Sequence, residues 1–363
     1  NNGVEDKDAT WKNNGKYYHF DERGVMVYQW YPTENTTSNL HSASNWSYFN
    51  SPEDGAKVVK GWFKVVGPNE DTSFKELDSE SFASVDGVKN EDARWYYNDG
   101  RDEGLVVGQI KKIKGKYYGF RPDDGVKGGA MLKGLCALEM DGEKIVKVID
   151  DDMDADDLDD FLDNAKAGSV ANDVYLYYFG DADDEDTDGA MKTGNVNINL
   201  DGSSYTFQFQ KTGNAKSGRG MGVTGIDDNK YIYSYGCRIK ADSDDKYQLV
   251  SVTNDEGTSL NINAAGVKVE KLDPKDLDKQ YTNKDDEVVN YTVLSDDSLR
   301  LVNVSGNIQK SKTGAKDGND CYYYVNKKYV PQLYTDNKTL KSGKNSEKEV
   351  SDWTDLLKQG LFR

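Results

Sequence analysis

The sequence holds only two histidines, His19 and His41, and three cysteines, Cys136, Cys237 and Cys321. With so few histidines no Ser-His-Asp or Cys-His arrangement can be argued. No HExxH, phosphate loop or strand-following GxGxxG stands in the chain. The cysteines are odd in number, far apart and form no CxxC pair, so their spacing supports neither a disulfide framework nor a zinc site. Each occupies an apolar, strand-like slot and reads as a small buried hydrophobe. Proline is scarce, 6 residues against 35 glycines, which favours tight turns over stiff linkers. No apolar run approaches the ~18 residues of a membrane span. No signal peptide is visible, and a start at Asn1 rather than Met reads as a leader removed. Hydrophobic residues make up 36% of the chain, below the usual ~45–50%. A single large core is therefore not expected; an elongated protein with a thin core is.

Acid and tyrosine are what the chain has in plenty. It carries 64 acidic and 46 basic residues, for a net charge of −18. Such a chain repels phosphate backbones and anionic lipid heads, which argues against nucleic acid and membrane insertion. Carboxylate pairs are abundant enough that counting alone does not remove a glycosidase. The acids fall mostly in turns and inserts, however, and no nucleophile or metal constellation accompanies them, so no catalysis and no cofactor are expected. The 24 tyrosines suit sheets exposed on one side, since tyrosine buries a ring and keeps a wet hydroxyl. The 363 residues are enough for two or three ordinary domains.

Residues 187–194 read Thr-Asp-Gly-Ala-Met-Lys-Thr-Gly, and 127–134 read Lys-Gly-Gly-Ala-Met-Leu-Lys-Gly. Aligned on the glycine before Ala-Met, related stretches begin at Gly24, Gly55, Gly129, Gly189, Gly220 and Gly306. An aromatic or apolar strand precedes each: 16–20, 46–49, 116–120, 175–179, 205–209 and 299–302. Arg94-Trp-Tyr-Tyr97, Tyr231-Ile-Tyr-Ser-Tyr235 and Tyr322-Tyr-Tyr-Val325 are further copies with altered turns. The strands alternate faces with period two, a glycine turn reverses the chain, and a short return strand is expected to follow. One hairpin is marginal alone; stacked neighbours would bury its aromatic face, which is why the pattern recurs. The alternative is a set of unrelated hairpins in an ordinary sandwich.

Gly15–Trp30 and Asn45–Trp62 carry the pattern most fully: an aromatic strand (Gly15-Lys-Tyr-Tyr18 in one, Asn45-Trp-Ser-Tyr48 in the other), an Asp-containing turn, and a tryptophan at the end. The pattern resembles the choline-binding and glucan-binding cell-wall repeats of Gram-positive (clostridial-type) bacteria, in degraded form from about Trp11 to Val330. The resemblance implies an all-β repeat protein, a β-solenoid of stacked hairpins. It also implies secretion or surface attachment, and non-catalytic binding. In that family adjacent aromatics hold the ligand. Carried over by position, Trp30 and Trp62 take the Gly-Trp role, Trp46 and Trp95 the role of the first aromatic of Trp-Tyr-Tyr, and Tyr48 and Tyr97 that of its last tyrosine. Organic cations sit over such rings by cation–π attraction, and sugar rings stack on them. The competing reading is that these rings are core. In later copies the Gly-Trp position holds Gln109, Leu135, Asn195, Ile226 and Lys312, so no box of the family type is expected there, and choline is disfavoured over most of the chain.

Between copies, Leu158, Phe161, Leu162 and Ala165 have helical spacing in the acidic stretch 150–166. Its early aspartates complement a helix dipole. Residues 72–83 read as another short helix, and 346–359 as a C-terminal helix with Ser346 and Glu349 forming a capping box. The stretch 250–295 has weak periodicity and takes no assignment. Asp184, Asp186, Asp188 and Gly189 match the first positions of a calcium loop, but Asn195 stands where the bidentate acid belongs. The expected divisions are 1–140, aromatic hairpins; 141–173, an acidic insert; 174–250, central hairpins; 251–345, degenerate repeats; and 346–363, the helix. The expected partner is a bacterial cell-wall polymer or glycan. The alternative is an adhesin for a host mucosal protein (mucin, matrix protein or immunoglobulin), presented by a scaffold that has lost most of its boxes.

Overall fold

The computed structural model describes residues 9–21, 23–33, 43–67, 93–100, 104–123, 127–180, 188–213, 218–255, 259–262, 264–274, 277–282, 286–294 and 296–338. The chain divides into two compact units. The first comprises 1–154, 171–192 and 211–220; the second comprises 155–170, 193–210 and 221–363. Among the described residues the fold is small β-sheets with one α-helix, and the strand pairings are antiparallel. The all-β expectation holds. The helices expected at 72–83 and 346–359 lie outside the described residues.

The first unit opens with three two-stranded ribbons: β1 (Ala9–Asn13) with β2 (Lys16–Phe20), β3 (Gln29–Pro32) with β4 (Trp46–Phe49), and β5 (Gly61–Val66) with β6 (Ala93–Asn98). Next come β7 (Gln109–Ile113), β8 (Lys116–Phe120), β9 (Leu135–Asp141), β10 (Lys144–Asp150) and β11 (Val174–Tyr178), in one sheet of order β11-β9-β10-β7-β8. Two tight turns, Asn14–Gly15 and Lys114–Gly115, have both residues at positive φ. That is the geometry whose twist matches a hairpin.

Consecutive aromatics in these strands have a packing reason. In β5–β6, Trp62 pairs with Tyr97 and Phe63 with Tyr96, so neighbouring rings point to opposite faces. Phe63 and Tyr96 pack on Trp30 of the preceding ribbon. Trp62 packs on Tyr118 and Phe120 of the following one. A ribbon covered on both sides needs apolar residues at every position rather than every other one, and Trp-Tyr-Tyr supplies them.

The six glycines that align the copies, Gly24, Gly55, Gly129, Gly189, Gly220 and Gly306, all have φ between 60° and 80°. After the turn the return strand is shorter than expected. It makes one bridge to its own aromatic strand, as in Phe20↔Met26, Phe120↔Met131 and Phe209↔Gly222. The chain then leaves to pair elsewhere, because its next donors are divided between two copies. Met131 N–H bonds the Trp95 carbonyl of the preceding copy, and Leu132 N–H bonds Gly119 of its own. Met191 to Tyr117 with Lys192 to Tyr178, and Lys57 to Tyr17 with Val58 to Tyr48, repeat the arrangement. The octet is thus a turn and a staple between copies. Its glycine is needed twice over: a Cβ on Gly189 would lie 2.3 Å from the Met131 methyl, and one on Gly220 2.3 Å from the Met191 sulfur.

In the second unit, α1 (Ala155–Lys166) forms where the periodicity placed it, with Leu158 and Phe161 buried. The Phe161 ring meets Tyr235 edge-on at 5.2 Å, and the Asp201 carboxylate accepts the Ala155 N–H at 3.0 Å. Strands β12 (Gly194–Leu200), β13 (Ser203–Phe209), β14 (Gly225–Asp227), β15 (Tyr231–Ser234) and β16 (Cys237–Arg238) form a sheet of order β12-β13-β16-β15-β14. The unassigned stretch 250–295 contributes strands to two more sheets. β17 (Tyr247–Asn254) lies between β18 (Val267–Leu272) and β21 (Leu299–Asn303). The last sheet has the order β19 (Lys279–Thr282), β20 (Val288–Val293), β24 (Pro331–Thr335), β23 (Tyr322–Val325), β22 (Lys312–Lys316). Val250, Val252, Val302, Ile226 and Ile232 form the core under β17, with Val267 and Val269 packed against it.

Candidate functional site

The six nominated aromatics form two trios, each on one face of one ribbon. Register sets Trp30 opposite Tyr48 and Pro32 opposite Trp46 in β3–β4, and Trp62 opposite Tyr97 and Lys64 opposite Trp95 in β5–β6. Period two then places Trp46 with Tyr48, and Trp95 with Tyr97, on the face of the facing tryptophan.

The tryptophans of the first trio are closed, and Tyr48 is partly exposed. Trp30 is 0% and Trp46 2% exposed. Ring centroids lie 5.3 Å from Trp30 at Tyr48, 6.0 Å at Phe63 and 4.8 Å at Tyr96, mostly edge-on. The Trp30 indole N–H donates to the Val66 carbonyl at 2.8 Å, so its polar end is satisfied as well. Burial raises the Tyr48 phenol above its ordinary value and pushes Tyr96 up to about 12.

The second trio is half open. Trp62, Trp95 and Tyr97 are each partly exposed and rest on buried Val106, Ile113, Tyr118, Phe120, Met131 and Ala190. Trp62 meets Trp95 at 6.3 Å and 88°, Tyr97 at 5.0 Å and 64°, and Tyr118 at 4.8 Å and 68°, and stacks on Phe120 at 5.7 Å and 28°. Neighbouring walls at near right angles offer a rounded cation, or the face of a sugar, more than one ring at once. A Lys111–Asp99 ion pair borders the second copy pair: Lys111 lies opposite Tyr118 in register, and Asp99 follows Tyr97 by two. Tyr118 and Phe120 were not nominated from sequence. Their copy lacks the Gly-Trp tryptophan, yet its aromatic strand serves the trio before it; the signal was Lys116-Tyr-Tyr-Gly-Phe120 itself.

Of the calcium-loop candidates, Asp184 and Asp186 lie outside the described residues. Asp188 accepts the Ala190 N–H at 2.9 Å and pairs with Lys116 and Lys192. The Lys116 hydrogen bond, foremost, holds its carboxyl down at about 2. Its oxygens cap the turn. Among the described residues no group of three or more His, Cys, Asp or Glu is placed to hold a metal. Cys136 and Cys237 are buried, and burial pushes both thiols up, Cys237 to about 12, which disfavours the reactive thiolate. His19 is buried, bonded to Thr10 and set against Tyr31 and Phe49. No helix among the described residues is long and apolar enough to cross a membrane.

The sequence matches no protein-family model and no curated protein. Solved structures similar to this chain include pneumococcal choline-binding proteins. CbpJ from Streptococcus pneumoniae is 16% identical over 89% of this chain and 86% of its own, with a TM-score of 0.33. Choline-binding protein F from the same organism is 17% identical over 89% and 91%, with a TM-score of 0.24. The modular autolysin LytC is 14% identical over 79% of this chain and 51% of its own, with a TM-score of 0.23. With these TM-scores below 0.5, the functional reading rests on the residues themselves.

Proposed function

We propose that this chain is a non-catalytic, secreted or surface-attached bacterial binding protein whose hairpin copies stack as a β-solenoid and hold a cell-wall polymer or glycan on aromatic residues. The observation that carries this reading is the half-exposed trio Trp62, Trp95 and Tyr97, lined by Tyr118 and Phe120. Partly exposed aromatic rings set at steep angles suit a choline-type cation or a sugar ring. The neighbouring Lys111–Asp99 pair offers polar groups to a hydroxylated ligand. Trp30 and Trp46 serve as the packed base of the copies rather than as contacts.

The test is a pull-down of the chain on bacterial cell wall with choline or soluble glucan as competitor, repeated with Trp62→Ala. Competitor-sensitive retention that Trp62→Ala abolishes is expected; retention indifferent to both would overturn the reading. A second reading, a host-protein adhesin, is favoured by one observation. β10 in the expected insert turns Val146 and Ile149 outward, 43% and 46% exposed, each at a register shift against β9. Specific capture of one mucosal protein, lost on Val146→Asp with Ile149→Asp and unaffected by Trp62→Ala, would support it.

A further inference from the structure

The second unit contains an aromatic pair with the same local geometry as the trios and a different third member. Tyr231 and Tyr233 lie two residues apart on β15, so they share a face. Opposite Tyr233 stands Gly225 on one side, in β14, and Arg238 on the other, in β16. Where β3 and β5 place a tryptophan across from Tyr48 and Tyr97, β14 places no side chain. With the Lys230 ammonium also 4.9 Å from the Tyr231 ring centroid, the guanidinium of Arg238 occupies the face shared by the two rings. Its central carbon lies 3.9 Å from the Tyr231 ring centroid and 5.7 Å from that of Tyr233, and a terminal N–H donates to the Tyr233 hydroxyl at 3.3 Å.

Arg238 also stands in a distinctive slot of the repeat. It follows the turn glycine Gly236 by two, as Met26, Met131 and Met191 follow Gly24, Gly129 and Gly189. Those methionines pack on the turn glycine of the next copy: Met26 on Gly55, Met131 on Gly189, Met191 on Gly220. The Arg238 stem does the same on Gly306, with its Cδ 2.8 Å from where a Cβ would sit. Methionine would serve that packing without bringing a charge to it. With arginine, Nε is buried and has no hydrogen-bond partner among the described residues. An unmet buried donor is destabilising, and the stacked rings are what offset it.

We propose that Arg238 is a resident cation: it fills the aromatic cradle of Tyr231 and Tyr233 and closes the second unit to external quaternary ammonium groups, leaving a latent site there that the first unit has in open form. The proposal rests on the reading of the aromatic trios as ligand platforms only for its choice of probe. The experiment uses the full chain carrying Trp62→Ala, so that the first unit is silent, and titrates tetramethylammonium while following tyrosine ring protons by NMR. Adding Arg238→Met, the residue of the other copies, is expected to create a saturable site at least tenfold tighter than in the Trp62→Ala parent, and adding Tyr231→Leu is expected to remove it. A folded Arg238→Met chain with unchanged affinity overturns the proposal. Should that variant fail to fold, Arg238→Gln, which keeps a polar donor and loses the charge, replaces it with the same two outcomes. In the native chain, an Arg238 Nε proton without a ring-current upfield shift would also overturn it. Failure of the first-unit reading shows separately, as absence of any effect of Trp62→Ala on wall binding.

Discussion

In the first unit Trp30 and Trp62 hold the same register position in neighbouring ribbons, each opposite a tyrosine and diagonal to a second tryptophan. Trp30 is sealed and Trp62 is half open. The cause lies in the covering ribbon. The Trp30 face is covered from both strands, by Phe63 of β5 and Tyr96 of β6, which stack on each other at 5.6 Å. The Trp62 face is covered by Tyr118 and Phe120 of β8; the residues across from them on β7 are Lys111 and Gln109. A repeat position therefore becomes sealed core or partly exposed surface according to which residues the next copy brings, and the tryptophan does not decide it.

The largest expected effect is on the closed side. Trp30→Ala should cost about 3–5 kcal/mol, as for other fully buried large aromatics, and lower the melting temperature by calorimetry far more than Trp62→Ala does. Equal losses would mean that the two sites are not distinct. Gly189→Val comes next. It forces a branched side chain to positive φ, at about 1–3 kcal/mol, and drives it into Met131; chemical denaturation should show the loss, and pairing it with Met131→Ala should recover part of it. On the open side, Trp62→Ala should weaken choline or glucan binding by about two- to thirtyfold by titration calorimetry, at an aromatic-contact scale of about 0.5–2 kcal/mol. Lys111→Phe sharpens the contrast: it supplies the ring that β7 lacks, and should reduce binding while leaving the melting temperature equal or higher. The smallest effect belongs to Asp188. Its folded carboxyl titrates at about 2, below the unfolded value of about 3.9. Its contribution is therefore present above pH 4 and lost as the pH falls toward 2. Asp188→Asn should flatten the melting temperature between those pH values, modestly, because the side chain is 39% exposed.

The turn glycines and the trios were legible because both follow from local rules: glycine marks positive φ, and period two puts Trp95 with Tyr97 on one face. What covers each trio was not, since Phe63 and Tyr118 are written in other copies, separated by inserts of differing length. The strands β17 and β18 were hidden for another reason. In Val267-Lys-Val-Glu-Lys-Leu272 the valines alternate with charges, a pattern that acquires meaning only once Ile226 and Ile232 provide the apolar partner beneath. The acidic helix was legible because four apolar residues at helical spacing stand out against aspartate.

The staples from Lys57 to Tyr17, Met131 to Trp95 and Met191 to Tyr117 carry a mechanical consequence. Each fastens a copy to its predecessor, so a stapled copy released under tension breaks its bond to the copy before it as well as its own turn. A pulled molecule is expected to lengthen in a separate small step for each staple that gives way.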